Sequence, residues 1–134
     1  MSLQVQVVSP EQVLWTGEAE MVTTRVVEGG DITFLPGHVP YLGALDIARL
    51  VIRPAGGDDI LFAVHSGFVE VSDNRVSVLS DVAETPDEID VARAEAARER
   101  AEAQRAERPG DPEVARALKR ATVRLAVAAG DSEA

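Results

Sequence analysis

Glu84-Thr85-Pro86-Asp87-Glu88-Ile89-Asp90-Val91-Ala92-Arg93-Ala94 is where the chain changes character. Before Thr85, apolar residues alternate with polar ones in short runs broken by Gly, Pro and Asp. After it, Ala, Arg, Glu and Asp fill nearly every position up to Pro109, and no aromatic residue occurs. A period near 2 gives way to a period near 3.6. The expected fold is α+β. An N-terminal antiparallel β-sandwich or flattened barrel takes residues 1–84, and a C-terminal antiparallel two-helix hairpin takes residues 85–134. A thin helical piece on a compact body points to a part that moves or docks.

Composition narrows the function. The chain has 134 residues, 46% of them apolar, and no Cys. That suits one domain with a small extra piece, without disulfides or thiolate metal sites. No apolar run approaches the ~18 residues of a membrane span. Met1-Ser2-Leu3-Gln4 lacks the basic and apolar regions of an export signal, so a cytosolic protein is the simplest expectation. The net charge of −10 argues against a nucleic-acid partner, which needs a basic surface. The charge is uneven, however. Residues 1–84 hold 4 basic against 12 acidic side chains, and residues 85–134 hold 9 against 11. The helical piece carries most of the positive charge.

The first half reads as strands. Leu3 to Val8 and Glu20 to Val27 are rich in β-branched residues. A short strand with a bend at Gly17 lies between them. Asp31 to Leu35, Ile47 to Arg53, Ile60 to His65, Phe68 to Ser72 and Arg75 to Leu79 follow, separated by Gly, Pro, Asp and Asn turns. Such spacing suggests eight or nine short strands. The five aromatics all fall in this half, so Val, Ile and Leu must build the core, with Trp15 or Phe68 anchoring one end. His38 and His65 have no metal-type spacing around them. Ser66 beside His65 lacks the glycines of a nucleophile elbow. No catalytic or metal constellation is expected.

The second half reads as helices. Thr85 caps, Pro86 suits the first helical position, and Glu88 completes a capping box. The first helix is predicted from there to about Glu107. Arg108-Pro109-Gly110-Asp111-Pro112 breaks it. Asp111 then caps a second helix ending near Ala129, with Gly130 as the stop. Val114, Leu118, Ala121, Leu125 and Ala128 form a seam on this helix. Its partners on the first helix are expected to be Ala92, Ala96, Ala103 and Ala106, with Ala94, Ala97 and Ala101 beside them. Each Ala methyl contributes only about 0.8 kcal/mol when buried, so the hairpin is expected to be loosely held. Arg116, Arg120 and Arg124 fall at i, i+4 and i+8 with Lys119 beside them. That stripe suits either a solvated face or a docking face.

Several motifs in order carry a resemblance. They are Leu3-Gln4-Val5-Gln6-Val7-Val8-Ser9-Pro10, the stretch Gly30-Asp31-Ile32-Thr33-Phe34-Leu35-Pro36-Gly37-His38-Val39-Pro40, and Ser66-Gly67-Phe68-Val69-Glu70-Val71 with Asn74 to Glu84 after it. Over nearly its whole length the chain resembles the epsilon subunit of bacterial F-type ATP synthases. The resemblance implies a non-catalytic rotor protein on the cytoplasmic face of the cell membrane. Its sandwich would bind the gamma subunit of the central stalk and sit on the membrane rotor ring (the c-ring), with Asp31 and His38 as ring contacts. Its hairpin would fold beside the sandwich or extend toward the alpha and beta catalytic subunits and block ATP hydrolysis. Arg116, Lys119, Arg120 and Arg124 would then dock on an acidic segment of beta.

No cofactor is required by the resemblance, but ATP is implied as a regulatory ligand. Ile89-Asp90-Val91-Ala92-Arg93-Ala94 matches the I/L-D-x-x-R-A pattern by which some of these subunits bind ATP. Glu84, Arg120 and Arg124 match further nucleotide-facing positions. The arginine expected seven residues before Arg120 is Glu113 here, an acidic group that repels phosphate. The residues alone give Asp90 a plainer role, since an acid suits a helix N-terminus and can pair with Arg93. Two other readings stand beside the rotor. One is a stand-alone sandwich that dimerises through its hairpin. The other is an ATP-sensing enzyme, against which stands the lack of a Walker loop and of any base–nucleophile pair.

Overall fold

A computed structural model describes residues 1–132. The last two residues of the expected hairpin segment, 133 and 134, lie outside the described residues. Eight strands form one unclosed, folded-over sheet. They are β1 (Leu3–Val8), β2 (Val13–Ala19), β3 (Met21–Val26), β4 (Gly30–Phe34), β5 (Tyr41–Arg53), β6 (Ile60–Ser72), β7 (Arg75–Leu79) and β8 (Ala83–Glu84). Their order is β2-β1-β7-β6-β5-β3-β4, with β8 paired on β6. The pairing is antiparallel except between β1 and β7, which run parallel.

Alternation builds the sheet. Leu3, Val5 and Val7 point inward from β1 while Gln4 and Gln6 face solvent. The inner faces meet in a core that includes Phe34, Phe62, Leu50, Ile52, Val64, Val69 and Val76. Trp15 packs partly buried against this core. Phe68 does not anchor it, for it is 57% exposed. Val69 and Val71 take the inner face of β6, so Phe68 must turn outward with Glu70.

β5 and β6 are single strands of 13 residues each, where the sequence suggested shorter pieces. Their register skips Asp46 and Ser66 between Leu45↔Gly67 and Ile47↔His65. Ser66 there has φ 65° and Gly67 φ 124°. The register does not shift across this gap, so Asp46 and Ser66 stay opposite each other, and the left-handed backbone at Ser66 interrupts the ladder without ending the strands.

The capping box forms but starts only a single 3-10 turn, Pro86–Glu88. The Glu88 carboxylate accepts from Thr85 N at 2.9 Å. Ile89 is then extended, and its side chain is buried in a second apolar cluster with Val51, Leu61, Ala63 and Val127. Helix α1 begins five residues later than predicted, at Val91, and runs to Glu107. Helix α2 spans Pro112–Ala128, capped by Asp111, whose carboxylate accepts from Glu113 N at 2.9 Å.

The helices pack on each other, and α2 is the one laid against β5 and β6. Val127 is fully buried in the second cluster, with Val123 and Ala128 beside it. On α1 the buried alanines are Ala94 and Ala101, with Ala97 half-buried between them. Ala92, Ala96, Ala103 and Ala106 are exposed. Alanines at so many spacings give α1 no strong phase. The face turned to α2 is the one that carries Ala94, Ala97 and Ala101.

Candidate functional site

A cleft of about 410 Å³ lies along the two helices and β8. Its walls include Glu84, Asp90, Arg93, Ala94, Arg120 and Arg124. Six of the seven residues assigned to nucleotide by sequence thus meet in one place. Ile89 does not, because it is committed to the apolar cluster under α2. Sequence reasoning missed Arg100, Gln104 and Glu88, which also line the cleft. Arg100 was findable, since it stands two helical turns after Arg93 on the same face.

The cleft is mixed in charge but leans basic. Neither Arg93 nor Arg100 takes part in an ion pair among the described residues. Arg120 is 3.8 Å from Glu113, the acid that stands where an arginine was expected. Glu113 bonds chiefly to Arg116, at 2.6 Å. That bond holds its carboxyl below the ordinary glutamate value. Two unpaired guanidiniums on α1 face two more on α2. Guanidiniums placed this way can grip phosphate oxygens bidentately.

Asp90 is the N-cap of α1, accepting from Arg93 N at 3.1 Å. Asp90→Ala is therefore expected to cost about 1 kcal/mol of helix stability. Amide exchange at Arg93 would report it, and unchanged exchange there would refute the cap.

Glu84 joins the sandwich to the hairpin. Its Oε1 accepts from Arg124 Nε at 2.8 Å and lies 2.9 Å from His65 Nε2. Burial works to raise this carboxyl, but the bonds to Arg124 and His65 outweigh it and hold it below the usual value. Lys119 bonds to Asp46 on β5 at 2.5 Å, and Arg49 reaches Asp131 at 3.2 Å. The basic stripe of α2 is therefore not one free face. Lys119 and Arg124 hold the sandwich, while Arg116 and Arg120 turn to Glu113.

Asp31 and His38 do not line this cleft, and Asp31 instead borders a depression of about 370 Å³ with Arg25, Arg49 and Lys119. Asp31 is exposed on β4 and bonds to Arg25 across the strand pair at 2.8 Å. That bond holds its carboxyl below the usual aspartate value. His38 follows β4 and sits edge-on to Phe34, ring centroids 5.0 Å apart. Another surface is apolar. A groove of about 600 Å³ is lined by Val8, Pro10, Val27, Ala44, Phe68 and Leu79 among others. Exposed Val27, Phe68 and Leu79 would be covered in a stable assembly.

Among the described residues no helix is long and apolar enough to cross a membrane. No group of three metal-type side chains occurs among them either.

Comparison with known proteins matches both halves. The family described as ATP synthase, Delta/Epsilon chain, beta-sandwich domain covers residues 2–86. Its long alpha-helix domain covers residues 87–129. The ATP synthase epsilon chain of Streptomyces coelicolor is 44% identical over 128 residues, 96% of each chain. That of Thermobifida fusca is 43% identical, covering 98% of this chain and 96% of its own. Among solved structures, a chain of the Euglena gracilis mitochondrial ATP synthase (OSCP/F1/c-ring) shares the fold with a TM-score of 0.72. It is 21% identical, with 96% of this chain and 78% of that one covered. The chain belongs to the ATP synthase delta/epsilon family and stands among its bacterial epsilon chains.

Proposed function

We propose that this chain is a non-catalytic rotor subunit of a bacterial proton-translocating F-type ATP synthase. It binds the gamma subunit of the central stalk and rests on the membrane c-ring, peripheral on the cytoplasmic face. It couples rotation to ATP synthesis. It restrains ATP hydrolysis when its hairpin leaves the sandwich and reaches the alpha and beta subunits.

The observation that carries this reading is how the hairpin is held. A small apolar cluster around Val127 and the pairs Lys119–Asp46, Arg124–Glu84 and Arg49–Asp131 fasten it. Surface pairs contribute about 0–1 kcal/mol each. One buried Val contributes ~1.5–3 kcal/mol. The gap between docked and free is therefore a few kcal/mol, a range a binding partner can reverse. Lys119 and Arg124 must leave Asp46 and Glu84 before they can meet an acidic surface on beta. The groove around Phe68 and Leu79 is assigned to gamma, and Asp31 with His38 to the ring loops.

The inter-helical cleft is assigned to ATP, which would favour the folded hairpin by bridging α1, α2 and β8. The rival dimer reading loses its seam, because α2 already spends Val114 and Ala121 within the hairpin region and Val127 on the sheet.

Removal of residues 86–134 is expected to spare assembly with gamma and to raise ATP hydrolysis by the reassembled complex. Loss of co-purification with gamma would overturn the rotor reading, and unchanged hydrolysis would overturn the inhibitory one. Calorimetry of the full chain with ATP tests the cleft. Arg93→Ala is expected to weaken binding about tenfold or more, the scale of one lost charge-assisted bond.

A further inference from the structure

His65 lies behind the cleft wall. Leu61, Ala63 and His65 alternate onto the sheet face that α2 covers, and the His65 side chain is 7% exposed. Among the described residues its Nδ1 is the buried side-chain polar atom without a hydrogen-bond partner. Its Nε2 meets Glu84 Oε1, the same oxygen that takes the Arg124 bond. One carboxylate oxygen thus serves the sandwich and α2 at once. The charged groups facing the ring are Glu84 from β8 and Arg124 and Arg120 from α2.

We propose that His65 is a positioning residue for Glu84 and takes up a proton when a phosphate-bearing ligand fills the cleft. The inference rests on the nucleotide reading above. In the empty protein, burial first, then the two guanidiniums, disfavour the imidazolium, while Glu84 favours it. The balance leaves the ring below its ordinary value of 6.5. Phosphate oxygens at Arg120 and Arg124 neutralise the cations that oppose a charge on the ring. Glu84, released by Arg124, keeps the imidazolium as its partner. Ligand binding therefore raises the ring's proton affinity, and protonation tightens the ligand in return.

The sign for the empty hairpin is opposite. The docked His65 titrates below 6.5, so its support for docking is fully present above 6.5. That support is lost as pH falls from there through the docked value. Acid loosens the empty hairpin, and it tightens the hold of the cleft on its ligand.

Proton NMR of the full chain can follow the His65 ring, identified by its absence in His65→Gln. With saturating ATP, the titration midpoint is expected to rise by about half a unit or more, equivalent to about threefold in affinity. Calorimetry from about pH 7.5 down to about 5, through and below the ordinary histidine value, gives the second readout. Relative to His65→Gln, which keeps an amide donor for Glu84, wild-type affinity is expected to gain that factor toward acid. ATP binding with an unmoved midpoint overturns the inference and leaves the nucleotide reading standing. Saturating ATP that gives neither heat nor any shifted signal overturns the nucleotide reading, and the inference falls with it.

Discussion

Val127→Asp is expected to free the hairpin and leave the sandwich folded. Val127 is fully buried among Val51, Leu61, Ala63 and Ile89. The substitution forfeits ~1.5–3 kcal/mol of burial. An unpaired carboxylate there adds several kcal/mol of desolvation. Undocking avoids both terms, and it gives up only the rest of one small cluster and a few surface ion pairs. The main core is a separate cluster around Phe34, Phe62 and Leu50, so it loses nothing. Hydrogen exchange should collapse toward random-coil rates over residues 91–128, while Val64 and Val69 stay protected. Helical amides that remain as slow as in the wild type would show that the cluster does not hold the hairpin.

Gly67→Ala is expected to cost the sandwich more than about 3 kcal/mol, enough to unfold much of it near 37 °C. A Cβ at this position would lie 1.9 Å from the Leu79 carbonyl oxygen and 2.8 Å from Ser80 Cα. Both are backbone atoms, and β7 is held there by the Phe68↔Leu79 pairing. The φ of 124° adds a conformation that side chains avoid. Neighbouring Ser66 is the control. At φ 65° it already bears the left-handed cost of about 1–2 kcal/mol. Its hydroxyl donates to the His65 carbonyl, so Ser66→Gly trades strain against a bond and should change stability by under about 1 kcal/mol. Urea denaturation distinguishes the two, and a Gly67→Ala midpoint within error of the wild type would refute the close approach.

Local pattern made most of the strands legible. Leu3 to Val8 alternates so plainly that β1 has the predicted bounds. Phe68 was legible too, because Val69 and Val71 share one parity and leave it with Glu70. The late start of α1 was not. Thr85-Pro86-Asp87-Glu88 satisfies the helix-start rules, and it does make a turn. What interrupts it is the burial of Ile89 against Val51 and Leu61, a tertiary demand that no local rule contains. The seam of α1 was hidden for the opposite reason, since its alanines suit every face. In the cleft, the family resemblance singled out Asp90, Arg93, Arg120 and Arg124. Spacing could not reveal that Lys119 and Arg124 are engaged by Asp46 and Glu84, because those partners lie 73 and 40 residues away in the chain.

The parallel seat of β1 between β2 and β7 also sets a timetable for synthesis. Residues 3–8 leave the ribosome first and meet β2 almost at once. Their other edge stays bare until residues 75–79 emerge. A nascent chain stalled before Arg75 therefore carries an open strand edge beside unsatisfied apolar surface, a template for aggregation. A chain released after Glu84 has closed that edge. The helices arrive last, onto a sheet whose strands are already paired, so loss of the C-terminal segment should not lower the yield of folded sandwich.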